Sequence, residues 1–229
     1  MNKMILKHGN YKNKYSRQIM EIELRIEEEK DHRIVEELTR EAFWNIHTPG
    51  CDEHLLIHNL RKSKEFIKDL DFLAIYENKI VGNIVYVKSN IIDKTKEYTI
   101  LTFGPISILP KYQNNGIGTK LIKHTIKLSK EMGYKAIVIY GDLEYYKRFG
   151  FVQSKRYKIT DKEGKYPAAL LVLELHKNAL DGIKGKFDEG KIYEVNEKDL
   201  REFEKRFEKK KKEKTKTQER FNELSNEYL

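Results

Sequence analysis

Apolar and polar residues alternate near the start of the chain and then recur at helical spacing. Residues 21–26 read Glu-Ile-Glu-Leu-Arg-Ile, a strict alternation that predicts a half-buried strand. Farther along, Ile34, Val35 and Leu38 fall on one side of a predicted helix, with Asp31 placed to cap it. A Thr-Pro-Gly break then separates this helix from a second, shorter one.

The middle of the chain carries the strongest strand signals. Residues 72–76 and 80–87 are rich in strand-forming side chains and flank a polar turn, so they predict a β-hairpin. Residues 98–109 predict a third, long strand. Gly104-Pro105 interrupts it, and because proline cannot donate a ladder hydrogen bond, we expect a bulge, a kink or an edge position there.

A helix and further strands follow. Residues 116–132 predict an amphipathic helix, and Gly133 suits the left-handed position just past its end. Strands are expected at 135–140, 151–154 and 168–175, with a short helix between the first two. The order mixes a meander with crossover helices, which predicts an α/β fold with one mixed sheet and helices on both faces.

The 229-residue chain is long enough for one domain with an extension, or for two small domains. We predict a basic N-terminal appendage at residues 1–19, a folded domain at 20–176 and a charged, partly helical C-terminal extension at 177–229. Residues 1–20 hold five basic and no acidic residues, whereas 197–229 mix 11 basic with nine acidic ones. That mixture favours a solvated helix over a polybasic arm.

Composition narrows the class of protein. Hydrophobic residues make up 39% of the chain, which is enough for one core and excludes wholesale disorder. We see no membrane span, no secretory signal and only one cysteine, so we expect a cytoplasmic protein with no membrane partner. The net charge of +9 suits nucleic acid, an acidic membrane face or an anionic small ligand.

The most informative stretch joins a strand to a helix through a glycine-containing loop, from Ile106 to Lys120. The first N–H groups of such a helix have no partner within it, and the helix dipole adds positive charge there. Gly116 and Gly118 lack Cβ atoms, and no acidic residue lies between Lys111 and Lys120 to repel an anion. These features describe a phosphate-binding turn, with a plain strand–turn–helix as the alternative.

Two common phosphate motifs do not fit this loop. A P-loop has a glycine five positions before its G-K-[ST], and none stands there before Gly118. A dinucleotide fingerprint has a third glycine where this chain has Leu121. The loop therefore matches neither a P-loop nor a Rossmann dinucleotide site.

A second element follows downstream, at Tyr145-Tyr146-Lys147-Arg148-Phe149-Gly150-Phe151. It predicts a short amphipathic helix with a glycine at its end and aromatic anchors in the core. Neighbouring helical residues point about 100° apart, so the two adjacent tyrosines are expected to face different surroundings.

Together the two elements resemble the GNAT superfamily of N-acetyltransferases, and a bacterial subgroup in particular, over about residues 20–176. The family's pyrophosphate loop, Q/R-x-x-G-x-G/A, appears as Gln113-Asn114-Asn115-Gly116-Ile117-Gly118. Its downstream Y-x-x-x-G-F appears as Tyr146-Lys147-Arg148-Phe149-Gly150-Phe151. The resemblance implies a mostly antiparallel central sheet flanked by helices, here followed by the helical extension.

The resemblance also implies an activity. Acetyl-CoA is the implied co-substrate, no metal is needed, and the acetyl group passes by direct attack to a primary amine of a small molecule or a peptide. A monomer and a homodimer are both compatible with the sequence. The frequent asparagine seven residues before the family's tyrosine is Ile139 here, a departure from the pattern.

Residue roles follow from the same resemblance. Tyr146 corresponds to the acid that protonates the departing thiolate, with a packing or CoA-contacting role as the alternative. The N–H of Ile108 is the implied oxyanion donor, on a strand whose exposed backbone pairs with the pantetheine arm. The implied cofactor-binding residues are Ile106, Ser107, Ile108, Gln113, Asn114, Asn115, Gly116, Ile117, Gly118, Thr119 and Tyr146.

The general base stays open at this point. An alkylammonium has a pKa of about 10, so the acceptor amine must lose a proton before it attacks. Residues from regions that border acceptor sites in the family are Glu97, Asp93, Glu53, His54 and His47. A water chain is the alternative.

Other reactive residues carry weaker signals. Nothing near Cys51 marks it as an activated nucleophile. His54 and His58 stand four apart, but a third metal ligand is missing and we expect no metal site. Two other function classes stay open: a non-catalytic acyl-CoA-binding module that recruits a protein or nucleic acid, and a nucleic-acid binder that uses the basic N-terminus. We disfavour nucleic acid as a partner.

Overall fold

A computed structural model describes residues 20–94 and 96–229, so the predicted appendage at 1–19 lies outside the described residues. The chain begins with strand β1 (Glu23–Ile26) and helices α1 (His32–Phe43) and α2 (Glu53–Leu60). The later elements are β2 (Phe72–Tyr76), β3 (Lys79–Asp93), β4 (Lys96–Ile108), α3 (Ile117–Glu131), β5 (Ala136–Tyr140), α4 (Leu143–Tyr146), β6 (Val152–Gln153), β7 (Ile159–Thr160), β8 (Leu170–Glu174), β9 (Gly185–Asp188), α5 (Glu197–Glu204) and α6 (Lys216–Asn226).

The nine strands of the described residues form one sheet in the order β1-β2-β3-β4-β5-β8-β6, with β9 paired to β3 and β7 to β9. The pairs β4–β5 and β7–β9 are parallel, and the others are antiparallel. This topology confirms the predicted fold class, a mixed and mostly antiparallel sheet. The predicted strand at 72–76 matches β2.

Successive side chains of a strand point to opposite faces of the sheet. Both faces of this sheet are apolar, and helices cover both of them. Val85 points to the face where α1 and α2 pack, in a cluster with Val35 and Ile57. Its neighbour Tyr86 points to the opposite face, where Leu121 of α3 joins the core. The end of β4 and the start of α3 lie close together, since only residues 109–116 connect them.

Asp31 stands at the N-cap position of α1, as predicted, but its side chain does not form the cap. Its carboxylate accepts two hydrogen bonds from the Arg25 guanidinium instead, at 2.6 and 2.9 Å. The same carboxylate also accepts from the N–H of Glu28 at 3.0 Å. The two-pronged bond to Arg25 fixes the orientation of the carboxylate, so its oxygens are engaged outside α1.

The chain beyond His176 continues the sheet before it reaches the two tail helices. Strand β9 pairs with β3, and Phe187 on β9 is buried together with Leu180 and Ile183. Short, largely polar strands such as β7 and β9 gave no usable alternation, and the sequence analysis did not foresee them. The domain boundary at residue 176 stays a prediction. Among the described helices, none is both long and apolar enough to cross a bilayer.

Candidate active site

Strand β4 diverges from β5 and leaves a fork between them. Leu101 of β4 pairs with Ile137 of β5, and farther along β4 the ladder partners lie on β3. Ile106 pairs with Ile84 and Phe103 with Tyr86, so two residues of β4, Gly104 and Pro105, face a single residue of β3. This extra residue is the bulge that the sequence predicted.

The backbone amides of Ile106 and Ile108 point into the fork. The N–H of Leu109 donates to the carbonyl oxygen of Val81 at 3.0 Å, which makes these two residues a hydrogen-bonded pair. Hydrogen-bonded and non-bonded pairs alternate along an antiparallel ladder. The N–H groups of Ile108 and Ile106 therefore point away from β3 and are available to a ligand.

Ser107 faces the other way. Its amide lies on the β3 side of the strand, opposite Asn83. Its side chain is fully buried, and its hydroxyl donates to Thr39 Oγ1 of α1 at 3.1 Å. The structure therefore does not bring Ser107 to the fork with its two neighbours.

A first cavity of about 490 Å³ lies at the fork and at the start of α3. Most of the predicted cofactor-binding residues line it: Ile106, Ile108, Gln113, Asn114, Gly116, Ile117, Gly118 and Thr119. The lining also includes residues that the sequence analysis did not assign to it: Ala42, Phe43, Ile46, Tyr112, Tyr145 and Arg148. Asn115 and Tyr146, which were predicted to bind cofactor, are not among these lining residues.

Side chains of the loop before α3 hold its backbone in shape. Asn115 donates from Nδ2 to the carbonyl oxygens of Tyr112 and Gln113, at 3.2 and 3.0 Å. Gln113 donates from Nε2 to the carbonyl oxygen of Ile108 at 3.0 Å. Gly116 has φ of +79°, a left-handed conformation, and an added Cβ there would meet no heavy atom within 4 Å. The loop thus presents open backbone at the positive end of α3.

Tyr145 and Arg148 complete the first cavity. The Tyr145 hydroxyl would lie 3.2 Å from a Cβ at Gly118, so the missing side chain at Gly118 makes room for the phenol. The Arg148 guanidinium stacks 4.5 Å from the centre of the Tyr145 ring and supplies positive charge. Of the two lysines that flank the loop, Lys120 donates from Nζ to the carbonyl oxygen of Ile22.

Tyr146 lines a second cavity of about 830 Å³. Its ring lies 5.6 Å from that of Phe151 and perpendicular to that of Tyr145, with an interplanar angle of 84°. The adjacent tyrosines therefore face two different cavities, as their spacing predicted. Burial raises the pKa of the Tyr146 phenol above its ordinary value. The two cavities share three lining residues, Phe43, Ile46 and Ile106.

Carboxylates dominate the charged lining of the second cavity. Glu53 accepts from His47 Nδ1 at 2.8 Å, and Asp142 lies 3.6 Å from Arg220. Glu189 is half-buried and makes no ion pair with any described residue, and burial raises the pKa of its carboxyl group. The remaining carboxylates in the lining are Asp161 and Glu163.

The predicted base candidates divide into two groups. Glu53 and His47 line the second cavity, whereas Asp93 and Glu97 lie at the far ends of β3 and β4 and line neither cavity. His54 is fully buried beneath the tail, with Nε2 2.9 Å from Glu204 Oε1, and burial lowers its pKa to about 4. Sequence reasoning missed Glu189, because it follows a short strand that carried no recognisable signal.

Cys51 and the spaced histidines line neither cavity, although Cys51 Sγ lies 3.5 Å from His54 Nδ1. Cys51 is buried, and burial raises the pKa of its thiol, so the reactive thiolate is disfavoured. His58 Nδ1 lies 2.8 Å from Glu36 Oε1, while His54 faces Glu204. Within the described residues, no group of three His, Cys, Asp or Glu side chains is placed to hold a metal ion.

Comparisons with known proteins agree with this geometry. Residues 68–153 match the family model described as an acetyltransferase (GNAT) domain. The uncharacterized N-acetyltransferase YjhQ of Escherichia coli K12 is 29% identical over 122 residues, or 53% of this chain. That match spans 64% of YjhQ, somewhat less than two thirds of its length. Residues 68–153 are therefore similar to the acetyltransferase (GNAT) domain, which agrees with the resemblance seen in the sequence.

Two solved structures share the fold over about three quarters of the chain. The GNAT family N-acetyltransferase YhbS of Escherichia coli, in complex with CoA, has a TM-score of 0.68 at 20% identity and covers 77% of this chain and 93% of its own. A GNAT family acetyltransferase of Brucella melitensis, in complex with acetyl-CoA, has a TM-score of 0.62 at 24% identity and covers 76% and 99%.

Proposed function

We propose that the protein transfers an acetyl group from acetyl-CoA to a primary amine by direct attack. The observation that carries the proposal is the meeting of two cavities at Ile106, one lined by open backbone amides and the other by Tyr146 and carboxylates. Acetyl-CoA binds in the first cavity and the amine in the second. The CoA and acetyl-CoA complexes of the two structural neighbours support this choice of co-substrate.

The first cavity offers CoA two kinds of backbone contact. The N–H groups at the start of α3, near Gly116 and Gly118, bind the pyrophosphate, assisted by the helix dipole. Arg148 adds a cation to the same lining. The pantetheine arm lies in the fork between β4 and β5, where its carbonyl oxygens accept from the N–H groups of β4 that point away from β3.

The oxyanion donor in this proposal is the N–H of Ile106. Ile106 and Ile108 both turn their amides into the fork, but only Ile106 also lines the second cavity. The thioester carbonyl has to lie where the two cavities meet, since the amine attacks it there. We therefore assign polarisation of the carbonyl to Ile106 and a pantetheine contact to Ile108, the residue that the resemblance implied as donor.

Tyr146 acts as the general acid. The raised pKa of its phenol keeps the proton on the oxygen at neutral pH. The departing thiolate of CoA forms in the same low-dielectric region, which raises its proton affinity as well. The proton transfer therefore replaces a poorly solvated thiolate by a poorly solvated tyrosinate. Tyr145 faces the first cavity and takes no part in this step.

Glu189 is our candidate for the general base. It lines the acceptor cavity, has no ion pair with a described residue, and has a carboxyl pKa raised by burial. A carboxylate with a raised pKa is a better proton acceptor than an ordinary one. Glu53 is already bound by His47 at 2.8 Å, which leaves it less available for the substrate.

The test measures thiol release from acetyl-CoA with a panel of small amines and peptides, together with CoA binding by calorimetry. We expect CoA to bind and at least one amine to be acetylated, with Tyr146→Phe active at only about one hundredth of the wild-type rate. Tight CoA binding without acetylation of any amine would favour the non-catalytic acyl-CoA-binding module instead. Absence of CoA binding would contradict both.

A further inference from the structure

Helix α6 turns one side toward the second cavity. The lining residues on and just after this helix are separated by steps of three and one, which is the spacing of a single helical face. They are Thr217, Arg220, Phe221, Leu224, Ser225 and Tyr228. Residues between them, such as Asn222, face away and do not line the cavity. The last segment of the chain is therefore a wall of the proposed acceptor site.

This wall is fixed to the domain at both of its ends. Before α6, the Thr215 hydroxyl donates to the carbonyl oxygen of Asn45 at 2.7 Å, in the connection between α1 and α2. After α6, the N–H of Ala168 donates to the carbonyl oxygen of Glu227 at 2.8 Å, just before β8. The helix thus bridges two segments that border the cavity on different sides.

Side chains of the wall contact residues of the proposed catalytic site directly. The Phe221 ring stacks on His47, with centroids 4.3 Å apart and planes 22° apart. His47 in turn binds Glu53 of the same cavity. Arg220 lies 3.6 Å from Asp142, the residue that caps the helix carrying Tyr146. A substitution in the wall is therefore expected to alter the positions of side chains that surround the acceptor amine.

The size of the second cavity points to a small acceptor. About 830 Å³ falls within the range of roughly 300 to 1,000 Å³ that is usual for small-molecule sites. A peptide that enters by its amino terminus needs an open path beyond the amine for the residues that follow. Helix α6, about 16 Å long for its 11 residues, covers one side of the cavity with side chains instead.

We propose that residues 216–229 form a specificity-determining wall that restricts the acceptor to a small-molecule primary amine and excludes peptide amines. The inference rests on the proposed acetyl transfer. Carboxylates such as Glu163 and Glu189 in the same cavity suit the ammonium form in which such an amine arrives. The wall acts through shape, because Phe221 and Leu224 line the side of the cavity that α6 covers.

The experiment uses the full chain with Phe221→Ala and Leu224→Ala combined, and Asn222→Ala on the outer side of α6 as the matched control. Steady-state kinetics are measured with acetyl-CoA, a panel of small primary amines and a panel of short peptides. We expect the double variant to raise KM for the best small amine about tenfold, and to shift the kcat/KM ratio toward peptides by about the same factor. The CoA dissociation constant and the Asn222→Ala kinetics are expected to change by less than about twofold.

Two results would overturn the inference. A wild-type chain that acetylates peptides as efficiently as small amines removes the claimed selectivity while leaving acetyl transfer intact. If the double variant keeps the wild-type ratio of kcat/KM for peptides to kcat/KM for small amines, with CoA binding preserved, the wall does not determine the selectivity. Absence of acetylation with every amine would instead overturn the proposed acetyl transfer, and this inference with it.

Discussion

The two cavities that meet at Ile106 are built from different parts of the backbone and side chains. The first is formed mainly by one continuous stretch, from β4 through the loop into α3, and it offers backbone N–H groups to a ligand. The second is assembled from side chains of distant segments, including α6 at the other end of the chain. Recognition by backbone depends on local conformation, whereas recognition by side chains depends on the whole fold.

This difference predicts how each cavity responds to substitution. The first should fail when a single glycine is replaced, because the backbone there must stay open to an anion. The second should respond gradually, since several side chains share its lining. The predictions below test this contrast, beginning with the largest expected effect.

Gly116→Asp is expected to weaken CoA binding by about 100-fold or more, measured by calorimetry. The new carboxylate would stand at the start of α3, where repulsion of a phosphate 4 Å away amounts to about 4 kcal/mol at the dielectric constant typical of a protein surface. Gly133→Asp is a matched control, because Gly133 has φ of +81°, close to the +79° of Gly116, and equally open surroundings. Similar losses in both variants would show that backbone strain, and not phosphate repulsion, is responsible.

Tyr146→Phe is expected to lower kcat by about 100-fold while leaving CoA affinity unchanged, because it removes the proton for the departing thiolate. Tyr145→Phe is the neighbouring control. It lines the first cavity, so its effect should be a few-fold and should fall on the KM for acetyl-CoA. Reversal of these two patterns in steady-state kinetics would mean that the cavities are assigned to the wrong ligands.

Glu189→Gln is expected to lower kcat/KM at neutral pH by about tenfold and to change its dependence on pH. Burial raises the pKa of Glu189, and only the ionised carboxylate can accept a proton, so kcat/KM should rise with pH through that raised pKa. The variant should lose this rise. Glu163→Gln changes another carboxylate of the same cavity and should retain it. A wild-type pH profile in Glu189→Gln would exclude this residue as the base.

The last prediction concerns folding stability and not catalysis, in the region where α2 packs against the tail. His54 packs against Phe203 of α5 and has its pKa lowered by burial from 6.5 to about 4. Below pH 6.5 the unfolded chain therefore binds a proton at His54 more readily than the folded chain does. The free energy of unfolding should fall by up to about 3 kcal/mol as the pH falls from 6.5 to 4.

Urea unfolding at a series of pH values measures this loss. His54→Asn removes the titrating group and should flatten the decline, whatever its effect on stability at neutral pH. His58→Gln, on the same helix, should keep the wild-type slope. An equal slope in the wild type and in His54→Asn would assign the acid sensitivity to other groups.

The local features of the first cavity could be predicted from the sequence. The bulge at Gly104 and Pro105, the loop before α3 and the opposite facing of the two tyrosines all depend on residues close together in the chain. Ser107 and Asn115 show the limit of such motif reading. Both stand inside the predicted binding stretch, yet Ser107 bonds to Thr39 and Asn115 holds the loop backbone.

The second cavity could not be predicted in the same way. Glu189 follows a four-residue strand, β9, whose sequence Gly-Lys-Phe-Asp holds one large apolar side chain and therefore no periodic pattern. Helix α6 is strongly charged. Which of its sides lines the cavity depends on its contact with the α1–α2 connection, which is far away in the sequence. Phe203, Phe207 and Phe221 attach the tail to the domain through ring contacts with His54 and His47.

The central claim is that backbone amides of β4 and of the start of α3 bind coenzyme A. Hydrogen–deuterium exchange of the full chain, with and without CoA, tests it most directly. We predict slower exchange for the amides of Ile106, Ile108 and residues 116–119 when CoA is bound, with no comparable change in α6. Unchanged exchange at these amides under saturating CoA, or protection confined to other parts of the chain, would contradict the account.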